Sequence, residues 1–451
     1  MPKLSVCMIV RDEAERLPGC LESIQDLHAE LIVVDTGSTD ETVAIARRYG
    51  ARVEQFTWID DFAAARNESL RYASGDWRLW LDADERLDPA AADLLYHLPP
   101  RAKRPTIYQV HLRNFRPGGQ QVTMSMSHRL ISHHRQIRFA GRIHEQVQAS
   151  LKAAGGVEKP SGLILDHHGY DLEGEAMAAK LRRNRPLLEE MVREEGSTYA
   201  LFTLGQNYAM TDETEAALDT FRKAAAAGGF QGLSQVPLLN NMAECCWKLE
   251  QLDEAERIAR QSLELTTEQT GGHFILYRIL QARGDRAGQI ACLQAVLEVS
   301  RKGERGEIGP VAQDVIIASR FVLFSLAGLH LAAENYSAAE EDIRACLALI
   351  PDEPEAIAVL WSALAGQKRW GDIVAAATGM PAPLGERLRE LQGLAYIKLG
   401  EMGQAVAHYE AWYAEHPELA DVGRRLAGLY AHAGRAADAE AILTGLAQAD
   451  H

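Results

Sequence analysis

Over residues 1–100, short runs of apolar and β-branched residues alternate with amphipathic stretches. The runs LSVCMIV, ELIVV, ARVEQF and DWRLWL are each followed by a helical pattern, over residues 15–27, 40–49, 62–72 and 89–97. This alternation is typical of βαβ units, in which successive strands lie parallel in one sheet. We therefore predict an α/β domain with a mainly parallel sheet and helices on both faces.

Between residues 105 and 147 the pattern becomes richer in β-forming residues. The segments TIYQVHLRNF, QQVTMSMSHRLIS and IRFAGRIHEQV predict strands that extend the sheet or flank it in antiparallel order. SLKAAGGVEKPSG, residues 150–162, is interpreted as a loop, and LILDHHGYD, residues 163–171, as a final short strand. No strand is expected after it.

From about Glu173 the chain is rich in alanine and leucine, and it repeats itself. Gly393, Tyr396, Ala405 and Tyr409 are followed 34 residues later, at the period of a tetratricopeptide repeat, by Ala427, Tyr430, Ala439 and Leu443. The same spacing recurs at Gly205, Tyr208, Ala217 and Phe221. Because a lone helical hairpin cannot bury its apolar face, about six or seven units should stack into an all-α solenoid.

The length of the chain agrees with this division, and its net charge limits the possible partners. A chain of 451 residues is too long for one ordinary core. The change of pattern divides it into an α/β domain over residues 1–172, a helical linker over 173–197 and repeats over 198–451. Its formal net charge is −16 without a Lys/Arg block, which disfavours nucleic acid or an anionic membrane as a partner.

The six cysteines form no C-x-x-C pair and lie among apolar neighbours, which indicates reduced, buried thiols and favours the cytoplasm. The N-terminus lacks the pattern of a signal peptide. No apolar run reaches the roughly 18 residues of a membrane-spanning helix, so no membrane span is expected.

Acidic residues follow the predicted strands. Arg11-Asp12-Glu13, Asp35, Asp60-Asp61 and Asp82-Ala83-Asp84-Glu85 each come directly after one. In an open parallel sheet these turns meet at one edge, where ligands bind. Carboxylates so close together would repel each other, and Mg²⁺ or Mn²⁺ with oxygen ligands is the usual remedy.

SVCMIVRDEAERL, LIVVDTGSTDETVAIA, FAAARNESL and DWRLWLDADERL together resemble the Rossmann-like GT-A domain of family 2 glycosyltransferases, over roughly residues 3–100 and more weakly to about 170. The resemblance implies inverting transfer of a sugar from a UDP- or GDP-sugar. It places Arg11, Glu13 and Asp35 at the nucleoside and Arg66 near the base or diphosphate. The Asp82-Ala83-Asp84 motif would hold the sugar through Asp82 and the metal through Asp84.

The chain departs from processive polysaccharide synthases, because the Q-x-x-R-W motif is missing. HRLIS, FAGRIHEQV and DHHGYD followed by repeats resemble instead a soluble bacterial subgroup that includes peptide S-glycosyltransferases. The acceptor implied is a peptide, a protein or a glycan, and the acceptor atom stays open.

An inverting transfer needs a general base for the acceptor and charge stabilisation for the leaving diphosphate. Glu145 is the first choice for the base, with Asp166 in reserve. His168 is a candidate third protein ligand to the metal, since neutral imidazole suits Mn²⁺ beside carboxylates. Arg129 is a candidate for offsetting the diphosphate charge.

Simpler interpretations remain beside these. Ser38-Thr39-Asp40-Glu41 has the spacing of a helix capping box. The whole chain could transfer sugar to an envelope glycan or lipid carrier, transfer a nucleotide, or act as a non-catalytic repeat scaffold with a relic nucleotide-binding domain. A homodimer is also plausible, because the end of a solenoid often pairs with its copy.

Overall fold

The computed structural model describes residues 3–115, 121–168, 175–304, 317–380 and 384–449. The chain divides into two compact units, Met1–Ala255 and Glu256–His451. Each unit is described below by itself.

The first unit contains an eight-stranded mixed sheet in the order β3-β2-β1-β4-β7-β6-β8-β5. Its strands are β1 Leu4–Val10, β2 Glu30–Asp35, β3 Arg52–Gln55, β4 Trp77–Trp80, β5 Glu85–Leu87, β6 Thr106–Phe115, β7 Gln121–Ser132 and β8 Val157–His167. The helices between them are α1 Leu17–Ser23, α2 Thr42–Arg48, α3 Phe62–Tyr72, α4 Pro89–Tyr96 and α5 Gln148–Ala153.

The first four strands pair in parallel, as predicted. β1 and β2 are apolar and mostly buried, whereas β3 lies at the edge of the sheet and is more exposed. Val6 and Met8 of β1 pack into one core, and Cys7 between them packs into the core on the opposite face. From β4 onwards the sheet becomes mixed: β7 runs antiparallel to β4 and to β6, and β8 runs parallel to β6. The prediction that residues 105–147 extend the sheet with antiparallel strands is therefore confirmed for the first two segments. It is wrong for IRFAGRIHEQV, residues 137–147, which form no strand and carry an isolated bridge between Ala140 and Gln146.

One local prediction about the end of the sheet is wrong. Residues 150–162 are not a loop, because they form most of α5 and the first half of β8. β8 accommodates Pro160 beside an irregularity in its pairing with β6, where proline's missing N–H costs no ladder hydrogen bond. The strand predicted over 163–171 is the second half of β8, and its residues 169–171 lie outside the described part of the chain.

The predicted capping box also does not form. The Ser38 hydroxyl accepts a hydrogen bond from the backbone N–H of Asp12 at 3.0 Å, and the Asp40 carboxylate accepts one from the N–H of Ala14 at 3.0 Å. These residues therefore join the turn after β1 to the turn after β2, instead of capping α2.

The rest of the described chain is helical. It comprises α6 Glu175–Glu195, α7 Thr198–Met210, α8 Thr214–Ala227, α9 Val236–Lys248, α10 Leu252–Leu265, α11 Thr270–Ala282, α12 Arg286–Glu304, α13 Ser319–Ala332, α14 Tyr336–Leu349, α15 Pro354–Gly366, α16 Trp370–Thr378, α17 Glu386–Leu399, α18 Met402–Glu415, α19 Ala420–His432 and α20 Ala436–Ala449. None of the helices in these ranges is long and apolar enough to cross a membrane.

The helices α7 to α20 form seven hairpins that share one turn geometry. A residue in the left-handed region follows the first helix of each hairpin, at Asp212, Glu250, Gly284, Glu334, Lys368, Gly400 and Gly434. The next N–H then bonds back into the helix, as from Glu213 to the Tyr208 carbonyl at 3.0 Å and from Arg435 to the Tyr430 carbonyl at 2.8 Å. The expectation of about six or seven helical repeat units is confirmed.

Close approach within the hairpins explains their small residues. A Cβ on Gly205 would lie 2.5 Å from the Phe221 ring, and one on Gly393 would lie 2.6 Å from the Tyr409 ring. The aromatic residue sixteen positions later therefore fills the space that the glycine leaves. The segment RKGERGEIGP, residues 301–310, predicts an inserted loop between repeats. Instead, α12 continues through Glu304, and residues 305–310 lie outside the described residues.

Candidate active site

A cavity of about 770 Å³ opens at the carboxyl ends of the central parallel strands. Because β1 pairs in parallel with both β2 and β4, the turns after these three strands meet at one edge of the sheet. Most of the residues singled out in the sequence line this cavity, namely Arg11, Glu13, Arg66, Asp82, Ala83, Asp84, Arg129 and Glu145. The edge indicated by the acidic turns is therefore the edge that carries the cavity.

Arg66, on α3, joins two of the carboxylates. It is only 8% exposed, its Nη2 donates to Asp82 Oδ1 at 2.8 Å, and its Nε donates to Glu145 Oε1. Burial acts to raise the pKa of Asp82, but the charges of Arg66 and Arg129 outweigh it and lower that pKa to about 2. Asp82 is therefore held as an anion, with one oxygen committed to Arg66.

Arg129, on β7, forms a second buried ion pair behind Asp82. Its Nη2 donates to Glu85 Oε1 at 2.7 Å and lies 3.6 Å from Asp82 Oδ2. Glu85 is 1% exposed and also accepts from the Asp82 backbone N–H at 3.0 Å. Glu85 therefore shapes the turn that presents Asp82 and Asp84, while Arg129 is shared between that turn and the cavity.

Asp84 faces His167 at the end of β8. The Asp84 Oδ2 and His167 Nε2 atoms are 3.5 Å apart, and His167 Nδ1 lies 2.8 Å from Asn114 Oδ1. Burial, followed by the charge of Asp84, raises the pKa of Glu13 to about 7. This side of the cavity therefore carries an excess of negative charge, which a cation would relieve.

The fit of a divalent cation rests on this pair. Within the described ranges, no group of three or more His, Cys, Asp or Glu side chains is arranged as a complete metal site. Asp84 and His167 offer one carboxylate and one imidazole, which suit Mn²⁺ or Mg²⁺ when phosphate and water oxygens complete the shell. The donor set thus fits a metal that binds together with a phosphorylated substrate.

Glu145 is carried on the loop between β7 and α5. Gly141, with φ of +96°, makes the turn that begins this loop, and His144 is held at φ +54°, a conformation that non-glycine residues rarely adopt. The Phe62 N–H donates to the Arg142 carbonyl at 2.8 Å, which fixes the loop to the start of α3. Strained backbone beside a cavity is typical of functional sites.

The first two helices after the sheet support the same loop. Ile143 packs against α6 and α7 in a buried cluster with Leu187, Leu188, Met191, Ala200 and Leu204. Arg142 Nε donates to Glu194 Oε2 at 2.8 Å. Lys180, Arg183 and Asn184 of α6 and Tyr199 of α7 complete the lining of the cavity.

Three predicted residues lie elsewhere. Asp35 is 1% exposed, and its carboxylate accepts from the N–H groups of Gly37 and Ser38 at 3.3 and 3.1 Å, so Thr36 lines the cavity in its place. Asp166 accepts from Arg113 Nε at 2.5 Å and is not part of the lining. The His168 ring stacks on Phe115, and its backbone N–H donates to the Asp84 carbonyl at 2.9 Å.

The histidine predicted as a metal ligand is His168, whereas His167 is the histidine that faces Asp84, and none of the predicted site residues lies on α6 or α7. The alternation in β8 was the available signal, since Leu163 and Leu165 are buried and His167 continues their face. Lys180, Arg183 and Tyr199 carry no motif that could have singled them out. Asp61, one of the acidic residues noted above, serves as the N-cap of α3 by accepting from the Ala64 N–H at 2.8 Å.

Comparison with known proteins agrees with this geometry. The profile of Glycosyl transferase family 2 matches residues 5–145, and two tetratricopeptide repeat profiles match residues 236–268 and 396–451. The chain therefore carries an N-terminal family 2 glycosyltransferase domain followed by C-terminal tetratricopeptide repeats.

Individual relatives give the same picture. A TPR repeat-containing protein of Synechococcus elongatus is 42% identical over 42% of this chain and 48% of its own length. The SPbeta prophage-derived glycosyltransferase SunS of Bacillus subtilis is 29% identical over 49% of this chain and 53% of its own. The chain thus matches about half the length of these curated relatives. Among solved structures, the match to a tetratricopeptide repeat protein of Parabacteroides merdae covers 56% of this chain and 93% of that protein, at 13% sequence identity and with a TM-score of 0.33.

Proposed function

We propose that this protein is a metal-dependent, inverting glycosyltransferase that moves a sugar from a nucleoside-diphosphate-sugar to a peptide or protein. The observation that carries the proposal is the convergence of Asp82, Asp84 and Glu145 on one cavity of a family 2 domain. The donor would lie over the ends of β1, β2 and β4, between Arg11 and Asp84. Manganese or magnesium, held by Asp84 and His167, would neutralise charge on the departing diphosphate.

The chain's own residues account for the other requirements of the reaction. Asp82, fixed as an anion by Arg66, is suited to orient the sugar hydroxyls by accepting their hydrogen bonds. In a single displacement the acceptor atom bonds to the anomeric carbon as the bond to the diphosphate oxygen breaks. Glu145 takes the acceptor's proton, and because one face of the sugar is attacked, the configuration at that carbon inverts.

The first experiment measures nucleoside diphosphate released from a panel of UDP- and GDP-sugars by the full chain. We expect hydrolysis of at least one donor in Mn²⁺ or Mg²⁺ and its loss on addition of EDTA, because without the cation the negative diphosphate would leave beside the Asp84 carboxylate with no counter-charge. Turnover that is indifferent to EDTA would remove the metal from the proposal. The absence of turnover and of donor binding across the panel would favour the alternative of a repeat scaffold with a relic domain.

Replacing Glu145 by glutamine tests the base. The amide keeps the shape and can still contact Arg66, but it cannot accept a proton, so sugar transfer should fall about 10²-fold. The rate of transfer to an accepted substrate is compared between wild type, Glu145→Gln and Asp166→Asn. Asp166 lies outside the cavity lining, and a loss confined to the Asp166 variant would transfer the role of base to that residue.

A further inference from the structure

The side of α6 that faces the interior of the unit is polar in its first part and apolar in its second. Leu187, Leu188 and Met191 are buried against the loop that carries Glu145, as expected of an amphipathic helix. One and two turns earlier the same side of the helix carries Lys180, Arg183 and Asn184, and these line the cavity. Cationic residues on the stripe that faces a domain interior are informative, because such positions are ordinarily apolar.

These two cations differ from the arginines deeper in the cavity. Arg66 and Arg129 are buried and committed to Asp82, Glu145 and Glu85. Lys180 and Arg183 are exposed, and within the part of the chain that the structure describes neither forms an ion pair with a carboxylate. In a protein with a net charge of −16, they form a local positive wall at the mouth of the cavity.

This wall stands beside the acceptor's path and away from the donor's. The donor end of the cavity is defined by the turns after β1 and β4, whereas Glu145 lies on the loop that α6 and α7 support. Lys180 and Tyr199 line the same cavity as Glu145 and its neighbours His144 and Gln146. Lys180 and Tyr199 therefore stand on the side of the cavity that carries the proposed base, where a group that delivers its proton to Glu145 would be bound.

We infer that Lys180 and Arg183 form an acceptor subsite that binds an extended peptide with acidic side chains next to the residue to be modified. The inference rests on the proposed function and names the acceptor class for that same site. The Lys180 ammonium and the Arg183 guanidinium, neither of which has an acidic partner among the described residues, match the carboxylates of Asp or Glu. Asn184 and Gln146 also line the cavity, and side-chain amides can both donate to and accept from a peptide backbone. The Asn184 Oδ1 atom accepts from Arg183 Nε at 3.2 Å, which leaves the Asn184 amide N–H groups and the Arg183 Nη groups for a ligand.

Binding of short synthetic peptides tests the inference directly. Three labelled peptides share a sequence and differ only in flanks that are acidic, neutral or basic, and their affinity for the full chain is measured by fluorescence anisotropy. The acidic peptide should bind at least about tenfold more tightly than the neutral one, and the basic one more weakly. The double variant Lys180→Glu, Arg183→Glu should abolish or reverse this order.

The matched control is Arg193→Glu with Lys223→Glu. Both residues are exposed and outside the cavity lining, and the net charge changes by the same amount, so the preference for the acidic peptide should persist. Equal binding of the three peptides to wild type, or an equal effect of the two double variants, would overturn the inference. So would a variant at Lys180 and Arg183 that loses UDP binding but keeps the peptide preference, because the two cations would then belong to the donor site.

Failure of this inference is distinguishable from failure of the proposed function. Anisotropy reports peptide binding without any chemistry, whereas metal-dependent donor hydrolysis reports the transferase without any acceptor. Donor hydrolysis without a peptide preference would support the proposed transferase and contradict the acidic acceptor. A preference for the acidic peptide without donor hydrolysis would support the peptide subsite and contradict the proposed sugar transfer.

Discussion

Replacing Asp84 by asparagine is expected to lower metal-dependent release of nucleoside diphosphate about 10³-fold, which corresponds to about 4 kcal/mol of transition-state stabilisation. Asp84 contributes the one carboxylate that faces His167, and an amide cannot balance the charge of a divalent cation. Because Asp84 lies in a turn and Glu85 holds that turn in place, the fold should persist. Initial rates at several Mn²⁺ concentrations measure the effect.

Asp93→Asn is the matched control for this substitution. Asp93 is an exposed carboxylate on α4, and the same change from acid to amide there should leave the rate within about twofold, as for most surface substitutions. Calorimetry with Mn²⁺ and UDP should show weaker binding in Asp84→Asn alone. An Asp84 variant that turns over at the wild-type rate would dismiss the proposed metal site.

Arg66→Met is expected to reduce the free energy of unfolding of the α/β region by about 3–5 kcal/mol, the cost of leaving buried charges without a partner. Methionine fills similar space, but Asp82 and Glu145 would face each other across the cavity floor with their shared cation removed. The shift of the first transition in a urea titration, followed by near-UV circular dichroism, measures the change.

Arg71→Met on the same helix provides the comparison. Arg71 is exposed and pairs only with Glu68 and Tyr72 at the surface, so its loss should cost less than about 1 kcal/mol. The double variant Arg66→Met, Glu145→Gln should recover part of the stability, because it removes one of the two unpaired charges. Identical unfolding of the Arg66 and Arg71 variants would contradict the idea that Arg66 holds the cavity floor together.

The sheet and its ligand edge could be predicted because they follow from local patterns. Strands that are apolar on both faces must lie inside a parallel sheet, and the carboxyl ends of such strands meet at one edge, which places Asp82 and Asp84 together without knowledge of distant contacts. The repeats could be predicted for the same reason, since a glycine and an aromatic residue sixteen positions apart occur in both the first and the sixth hairpin.

The rest of the site depends on contacts that spacing does not encode. An aspartate before Gly-Ser can face a ligand or accept from its own turn, and at Asp35 the turn prevails. Whether His167 or His168 faces Asp84 depends on the register of β8 against β5. That register was not predictable, because β8 begins in a segment whose sequence is typical of a loop. The contribution of α6 arises from tertiary packing against Ile143, of which a one-dimensional pattern gives no sign.

The buried cluster between Ile143 and the helices α6 and α7 limits where this protein can be cut. Burial of each large apolar side chain is worth about 1.5–3 kcal/mol, so a fragment ending at residue 172 would lose several such terms at the loop that carries Glu145. It would also leave Arg142 without Glu194. The helices α6 and α7 accordingly brace the loop that carries Glu145, and a fragment that keeps this loop in place must include both of them.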